Sequence, residues 1–323
     1  MSGMTFNGPG RIAGDGSVVA RAPAKINAHL HVGPLRDDGF HDLRTVYVAV
    51  SLFDTVTVRP AERLSLTVTG EGSGLDGRPA TVPSDATNLV WRAAELLAQH
   101  AGVRPGAEMS IEKTIPAAAG LAGGSADAAA ALVALDALWG THATRADLAD
   151  LAAQLGSDVP FSLVGGVALG TGRGEQLSPV LARRRWDWVL GIAGEGLSTP
   201  RVYARLDALR RDGQVSRGRD DEEATGAVIT ALRSGPIDDL AGALGNDLQA
   251  PAISMLPDLR QGLRAMTDAG ARAALVSGSG PTIAALVEDQ DAGIGVAAAL
   301  TRREVFRTVR MVHGPVPGAR LVG

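Results

Sequence analysis

The sequence has 323 residues, a formal net charge of −4 and 45% hydrophobic residues, which is enough apolar material for a buried core. The acidic balance argues against a general nucleic-acid binder, and the absence of cysteine excludes disulfides and cysteine-based zinc sites. No stretch approaches the roughly 20 apolar residues of a membrane helix, so we expect a cytoplasmic protein without nucleic-acid or membrane partners.

The first third of the chain is predicted to be rich in strands. Residues 1–17 are rich in glycine and lack the apolar run of a secretory signal, so we expect a flexible N-terminal extension. An amphipathic helix is predicted over 87–102, with Thr87 or Asn88 near its cap. Alternating apolar residues predict strands at 17–32 (interrupted near Pro23), 45–60, 64–70 and 107–116.

A glycine cluster, "IPAAAGLAGGSADAAAALVAL" at 115–135, precedes an alanine-rich helix. It fails the G-x-G-x-x-G pattern of a dinucleotide fold, and it lacks the lysine of a P-loop. Glycines before a helix still let the backbone approach an anion, which the first amides of the helix can bind. The pattern therefore leaves two interpretations open: a phosphate site, or a tight turn without a ligand.

The second half mixes helices and strands without regular alternation, which favours an α+β fold. We expect a domain boundary near 177–185, between an N-terminal domain at 18–180 and a C-terminal domain at 181–323. The charged segment 211–226 is predicted to be an exposed loop. Helices are predicted at 145–156, from 227 and at 259–269, strands at 164–170, 186–193 and 273–276, and glycine-rich connections between 170 and 186 and at 277–282.

Four segments in this order resemble the GHMP kinases: "APAKINAHLHV", "IPAAAGLAGGSADAA", "GSDVPFSLVGG" and "LVSGSGPTIAAL". The resemblance implies a two-domain α+β fold with a cleft between the domains, and phosphate transfer from ATP with Mg²⁺. The segments "RDDGFHDL", "TNLVWRAAELL" and "GGVALGTGRGE" resemble the branch of that family that phosphorylates the C2 hydroxyl of 4-diphosphocytidyl-2-C-methyl-D-erythritol.

Lys25 and Asp158 are the expected catalytic residues. Asp158 would accept or orient the proton of the attacking hydroxyl, although its position before Pro160 also suits simple helix capping. Lys25 lies between apolar neighbours and needs an anionic partner if it is buried, so we expect it to meet Asp158; a water-facing strand edge is the alternative. Asn27 shares its strand face and would hold Lys25 or bind substrate.

The resemblance assigns ATP binding to the glycine cluster and to Asn88, which would pair with adenine but could equally cap its helix. Ala118 and Ala122 stand where many family members have glycine, which is tolerable if their φ angles stay negative. Ser125 could also offer its hydroxyl to magnesium. The expected ATP-binding residues are Asn88, Pro116, Ala117, Ala118, Ala119, Gly120, Leu121, Ala122, Gly123, Gly124 and Ser125.

The resemblance also assigns the substrate contacts. His41 would read the edge of cytosine and Phe40 would stack on its ring, with a solvated loop as the alternative for His41. Thr199 is the expected contact from "LSTPRVY". His29 and His31 share a strand face and could bind a metal, but no third ligand is evident, so we expect them to pack or to line the site.

Two alternatives to this function remain open. Another GHMP kinase, of the homoserine or mevalonate type, would lack "DGFH" and "GTGRGE". A non-catalytic ligand sensor derived from a kinase should have lost Lys25 and Asp158. A dehydrogenase is excluded by the missing dinucleotide fingerprint.

Overall fold

Two sheets and the helices around them form the protein in the computed structural model, which describes residues 14–74, 81–215 and 221–322. The larger sheet has the strand order β12-β1-β2-β4-β3, with β5 and β6 continuing from β2 and β8 pairing with β1; the smaller has the order β11-β7-β10-β9. The strands are β1 Val18–Leu35, β2 His41–Pro60, β3 Ser65–Gly70, β4 Ala107–Lys113, β5 Val167–Thr171, β6 Gln176–Val180, β7 Trp186–Ile192, β8 Gly245–Asn246, β9 Ala273–Val276, β10 Ile283–Val287, β11 Thr308–Gly314 and β12 Arg320–Leu321.

The helices pack against these sheets and confirm the predicted α+β class. Asn88 caps α1 and Gly102 ends it, as the sequence pattern predicts. The helices are α1 Leu89–Ala101, α2 Gly123–Trp139, α3 Arg145–Leu155, α4 Val159–Val164, α5 Thr199–Arg211, α6 Asp221–Ser234, α7 Ile237–Ala243, α8 Gln249–Met255, α9 Asp258–Asp268 and α10 Gln290–Arg303. None of the helices in these described ranges is long and apolar enough to cross a membrane.

The central helix α2 is buried along most of its length, because its run of alanines lets it lie close to β1 and β2. Those two strands pair antiparallel over most of their length. The predicted interruption near Pro23 is wrong: β1 continues through it, with a register shift between Pro23 and Ala24. Such an irregularity accommodates a residue that has no amide hydrogen for the ladder.

Two other expectations differ from the structure. The connection between β5 and β7 contains an additional strand, β6, which pairs with β5. The charged segment 211–226 is not wholly a loop, because α6 already begins at Asp221. Glu222, Glu223 and Ala224 are good helix formers, and the later turns of α6 pack in the core. Residues 216–220 of that prediction, and residues 1–13 of the predicted extension, lie outside the described residues.

The second half of the chain contributes to both sheets. β8 and β12 join the larger sheet, and the apolar residues of α6 belong to the same core cluster as β1 and α2. A second cluster joins the smaller sheet to α5, α8, α9 and α10. The division into 18–180 and 181–323 stays a prediction, and the core that these segments share runs across it.

Candidate active site

A cavity of about 970 Å³ opens between the larger sheet and α5. Its walls come from β1, β2, the loop before α2, the residues before α4, and the turn between β9 and β10. Sixteen of the residues predicted from the sequence line it: Lys25, Asn27, Phe40, His41, Asn88, Pro116, Ala117, Ala118, Ala119, Gly120, Ala122, Gly123, Gly124, Ser125, Asp158 and Thr199. Leu121 does not, because its side chain is fully buried in the core beneath the loop.

Lys25 and Asp158 meet at one end of the cavity. The Lys25 ammonium lies 3.7 Å from Asp158 Oδ2 and donates to Asn27 Oδ1 at 2.7 Å. Asn27 in turn donates to Thr45 Oγ1 at 2.8 Å, so a chain of buried hydrogen bonds orients the lysine. The Lys25 side chain is only 6% exposed, whereas that of Asp158 is 31% exposed. A buried cation therefore faces a carboxylate that a ligand can reach.

Asp158 occupies the N-cap position of α4 but makes no side-chain capping bond there. Its Oδ1 instead accepts a hydrogen bond from the Tyr47 hydroxyl at 3.0 Å. The interpretation of Asp158 as a helix cap is therefore wrong, because its carboxylate is turned toward Lys25 and Tyr47. Burial, and then the neighbouring Asp158 carboxylate, raise the pKa of Tyr47 well above its usual value, so it stays a proton donor.

The loop at residues 116–122, the glycine loop, leads directly into α2. No side chain caps the helix, and Ala126 donates to Ala122 O at 2.9 Å as an early intrahelical bond. The amides of Gly123, Gly124 and Ser125 thus belong to the helix end that lacks intrahelical acceptors. Gly124 and Ser125 line the cavity. This helix end fits an anion such as phosphate.

The glycine loop itself holds two alanines in the left-handed region. Ala118 has φ 52° and Ala122 has φ 58°, so the condition of a negative φ, under which a methyl group would be tolerable at these positions, is not met. The tight turn forces this conformation despite the methyl groups. At Gly120 a side chain is impossible, since a Cβ atom would lie 2.2 Å from Ser277 O. The glycine loop therefore contacts the 277–282 turn, and we expect the two segments to form one continuous wall of the cavity.

A buried charge cluster below the glycine loop was not predicted as part of the site. The Lys113 ammonium contacts Asp54 and lies 2.7 Å from Asp127 Oδ2. Asp54 Oδ1 also accepts from the amides of Thr114 and Ile115 at 2.6 and 2.8 Å. The cluster thus connects β2, the end of β4 and the first turns of α2, and it fixes where the glycine loop begins.

The pKa values in this cluster follow from two carboxylates sharing one ammonium. Burial alone would lower the pKa of Lys113, but the carboxylates of Asp127 and Asp54 outweigh it and raise that pKa. Burial raises the pKa of Asp127 well above its usual value, against the attraction of Lys113 and together with the competing Asp54. Lys113 is therefore charged, and burial favours the protonated form of the Asp127 carboxyl.

The opposite end of the cavity carries aromatic and imidazole groups. His41 Nε2 lies 3.0 Å from Asp207 Oδ1, and its ring centroid is 5.2 Å from that of Tyr203. Phe40 is half-exposed at the rim. Asp207 and Tyr203 from α5 were missed in the sequence, because only the fold brings that helix beside β2. An imidazole oriented by a carboxylate and flanked by aromatic rings suits a flat heterocycle.

Asn88 and Thr199 line the cavity but are also bonded within the protein. The Asn88 side chain accepts from Val90 N at 2.8 Å and donates to Pro83 O at 2.6 Å, so it caps α1. One amide hydrogen remains available for a ligand. Thr199 Oγ1 lies 2.8 Å from Ser279 Oγ, which joins α5 to the 277–282 turn.

The described residues contain no group of three or more His, Asp or Glu side chains that could hold a metal. His29 and His31 therefore belong to no such group, and His31 Nδ1 lies 3.0 Å from Asp247 Oδ2. Magnesium bound through phosphates needs only one or two protein oxygens, and Ser125 beside the helix end fits that need.

Comparison with known proteins agrees with this geometry. Residues 88–166 match the GHMP kinases N terminal domain, and residues 228–305 match the GHMP kinases C terminal domain. Over 305 residues, the chain is 55% identical to the 4-diphosphocytidyl-2-C-methyl-D-erythritol kinase of Rhodococcus jostii (strain RHA1), covering 94% of this chain and 95% of that protein. It is 54% identical over 307 residues to the enzyme of the same name from Mycolicibacterium smegmatis (strain ATCC 700084 / mc(2)155), covering 95% and 93%.

Solved structures agree as well. A crystal structure of 4-(cytidine 5'-diphospho)-2C-methyl-D-erythritol kinase superposes with a TM-score of 0.72 at 34% identity, covering 94% of this chain and 99% of that one. A homoserine kinase from Cytophaga hutchinsonii ATCC 33406 superposes with a TM-score of 0.74 at 19% identity, covering 98% and 100%, and shares the fold.

Proposed function

This chain belongs to the GHMP kinases, and from that membership we propose the reaction that its cavity performs. It phosphorylates the C2 hydroxyl of 4-diphosphocytidyl-2-C-methyl-D-erythritol with ATP, a step of non-mevalonate isoprenoid precursor biosynthesis. Relatives of that name at 55% and 54% identity, matched over nearly their whole length, support the substrate. A cytoplasmic location stays a prediction.

The observation that carries this proposal is the contact between Lys25 and Asp158 beside the open end of α2. Lys25 N donates to Leu121 O at 3.2 Å, and a Cβ atom at Gly278 would lie 3.1 Å from the Lys25 ammonium. The catalytic pair therefore lies against both glycine-rich turns. Phosphoryl transfer needs positioning and charge stabilisation above all, and this juxtaposition supplies both.

In the reaction, the C2 hydroxyl oxygen bonds to the terminal phosphorus of ATP while the bond to ADP breaks. Asp158 accepts or orients the hydroxyl proton, and the Tyr47 hydrogen bond fixes the carboxylate for that task. Lys25 stabilises the negative charge on the attacking oxygen and on the transferred group. Both side chains are held by bonds that exist before a ligand enters, which limits reorganisation.

The phosphates of ATP would bind the amides at the start of α2, where the helix dipole favours negative charge. When bound, Mg²⁺ neutralises phosphate charge, and Ser125 is the residue that we propose to hold it. The cluster of Lys113, Asp54 and Asp127 positions the glycine loop from below. At the other end, His41 and Phe40 would bind cytosine, with Asp207 orienting the imidazole.

The substrate assignment is tested with the purified enzyme, ATP and a panel of acceptors. We expect ADP formation with 4-diphosphocytidyl-2-C-methyl-D-erythritol, and none above background with homoserine or mevalonate. Phosphorylation of homoserine or mevalonate in place of the cytidyl diphosphate would overturn the assignment. No turnover with any acceptor, together with retained nucleotide binding, would favour the ligand sensor instead.

The role of Asp158 is tested separately by Asp158→Ala. Loss of a positioned proton acceptor should lower kcat by about a thousandfold, while the ATP dissociation constant changes by less than about threefold. Asp150→Ala, which removes an exposed carboxylate on α3, is the matched control and should keep wild-type kcat. Turnover by Asp158→Ala at the control rate would reject the catalytic role but not the substrate.

A further inference from the structure

The tight turn between β5 and β6, residues 172–175, places an arginine at the rim of the cavity. The guanidinium carbon of Arg173 lies 5.0 Å from the centroid of the Phe40 ring, and the side chain is 37% exposed. The Arg173 amide donates to Glu175 Oε2 at 2.7 Å, which fixes the backbone of the turn. Arg173 is thus held at the cavity by its backbone, and it belongs to the lining of that cavity.

This turn lies between the two ends of the cavity. On one side, Leu43 N donates to Gly172 O at 2.7 Å, two residues after His41 on β2. On the other, Gly174 packs directly on Tyr47, since a Cβ atom there would lie 2.3 Å from the Tyr47 hydroxyl. Tyr47 is the residue that bonds Asp158. Arg173 therefore stands between the group that would bind the base and the pair that would transfer phosphate.

Among the positively charged side chains that line the cavity, Arg173 has the guanidinium that a ligand can bind. Of the described residues that line it, three are lysine or arginine: Lys25, Lys113 and Arg173. Both lysines are committed to buried or half-buried carboxylates. The carboxylate of Glu175 lies beside the Arg173 guanidinium, with Nε to Oε1 at 3.9 Å. That contact is too long for a hydrogen bond and leaves the paired donors of the guanidinium available.

We propose that Arg173 binds the diphosphate of the nucleotide substrate and so distinguishes a cytidine diphosphate conjugate from a bare nucleoside. The inference rests on the function proposed above, because a diphosphate joins the base to the methylerythritol unit in that substrate. An arginine presents two parallel N–H groups that match phosphate oxygens. Stacking on Phe40 places this fork beside the residue that would bind the base, where the diphosphate attached to that base would lie.

The experiment compares binding of CDP and cytidine to the full-length enzyme by titration calorimetry. In Arg173→Gln, CDP affinity should fall by about fivefold to tenfold, while cytidine affinity stays within about twofold of wild type. Arg173→Lys keeps the charge without the fork and should lose an intermediate amount. Arg183→Gln removes an exposed arginine outside this cavity and should bind both ligands like wild type.

Each other outcome overturns the proposal. Equal weakening of CDP and cytidine in Arg173→Gln would mean that Arg173 only supports Phe40. Unchanged CDP binding would mean that it has no part in recognition. In steady-state kinetics, Arg173→Gln should raise KM for the cytidyl diphosphate substrate by the same factor, with KM for ATP unchanged. If the wild-type enzyme turns over this substrate and Arg173→Gln has the same KM for it, this inference alone is rejected. If the wild-type enzyme does not turn over this substrate, the proposed function is rejected.

Discussion

His29 is a buried histidine on β1 that does not line the cavity. It is 8% exposed, and neither ring nitrogen has a hydrogen-bond partner among the described residues. Burial lowers its pKa, against the attraction of Asp247 and together with the repulsion of His31 and Arg44. Protonating His29 therefore costs more free energy in the folded protein than in the unfolded chain.

This arrangement predicts a contribution of His29 to acid sensitivity. As the pH falls below the unfolded-state histidine pKa of about 6.5, His29 takes up a proton in the unfolded chain before it does so in the folded protein. The contribution of neutral His29 to stability is therefore complete above that pH and is lost as the pH falls toward the folded-state pKa. We expect His29→Leu to lose less unfolding free energy than wild type between about pH 7 and about pH 5. Urea unfolding at each pH measures this difference. The exposed His142, changed to Gln, should keep the wild-type dependence; an unchanged dependence in His29→Leu would contradict the assignment.

The two buried lysines of the cavity differ in how well the sequence predicts them. Lys25 stands between apolar residues, so a buried lysine with an anionic partner can be inferred from its neighbours alone. Lys113 ends an alternating strand, where the pattern equally fits a solvated end. Its partner Asp54 lies 59 residues earlier and becomes adjacent only through the pairing of β2 with β4. Such a contact depends on strand register, which composition does not encode.

Among the elements, α2 begins with a backbone conformation that its own sequence disfavours. The helix begins after Ala122, whose φ of 58° lies in the region that glycine adopts without cost. The turn is imposed by contacts on both sides, where Gly120 packs on Ser277 and Gly123 on Ile115 and Lys113. Tertiary packing therefore fixes a backbone conformation that the sequence at this position disfavours.

Replacing Ala122 with Gly should therefore stabilise the protein. Removing the methyl group relieves a left-handed alanine, for a gain of about 1 kcal/mol in unfolding free energy. Ala131→Gly in the middle of α2 makes the same chemical change where φ is helical, and it should lose about 1 kcal/mol or more. Denaturant unfolding of both variants measures whether each change raises or lowers the free energy of unfolding. A loss of stability in Ala122→Gly would show that its methyl contacts outweigh the strain.

Element prediction succeeded where local signals are strong and failed where distant contacts decide. The cap residues Asn88 and Gly102 define the ends of α1 as expected, and the four residues of β9 match the predicted strand. β6 was missed because its sequence, with a proline, reads as a turn, and only pairing with β5 makes it a strand. The start of α6 was missed because a charged stretch resembles a loop until its later turns pack on β1 and β2.

For the molecule as a whole, the last residues matter to the cavity although none of them lines it. After β11 the chain returns to the larger sheet, where Ala319 N donates to Ser162 O at 2.9 Å and Gly318 N to Val164 O at 3.3 Å. These carbonyls belong to the last turn of α4, the helix that follows Asp158. The C-terminal segment therefore holds in place the helix that presents the proposed proton acceptor.

A boundary drawn from sequence alone cannot capture this return. Arg320 and Leu321 pair with β1 near the start of the described chain, so the two segments lie about as far apart in sequence as the protein allows. No local pattern predicts a pairing between such distant short segments. The consequence is that changes near the C-terminus should alter the position of α4 and of the proposed catalytic residue Asp158 that precedes it.

Gly318→Ala tests this coupling directly. A Cβ atom at Gly318 would lie 2.3 Å from Leu163 O and 2.6 Å from Leu163 C, so the C-terminal segment must move off α4. The backbone of α4 on one side and the pairing of β12 with β1 on the other leave little room for this movement. We therefore expect a loss of about 1 to 3 kcal/mol in unfolding free energy. We also expect a lower kcat, because the carboxylate of Asp158 shifts with α4. Gly295→Ala in α10 meets no atom within 4 Å and should instead gain about 0.5 to 1 kcal/mol at unchanged kcat. If Gly318→Ala unfolded and turned over like wild type, the C-terminal segment would have no part in holding α4, and the position of Asp158 would depend on β2 and α2 alone.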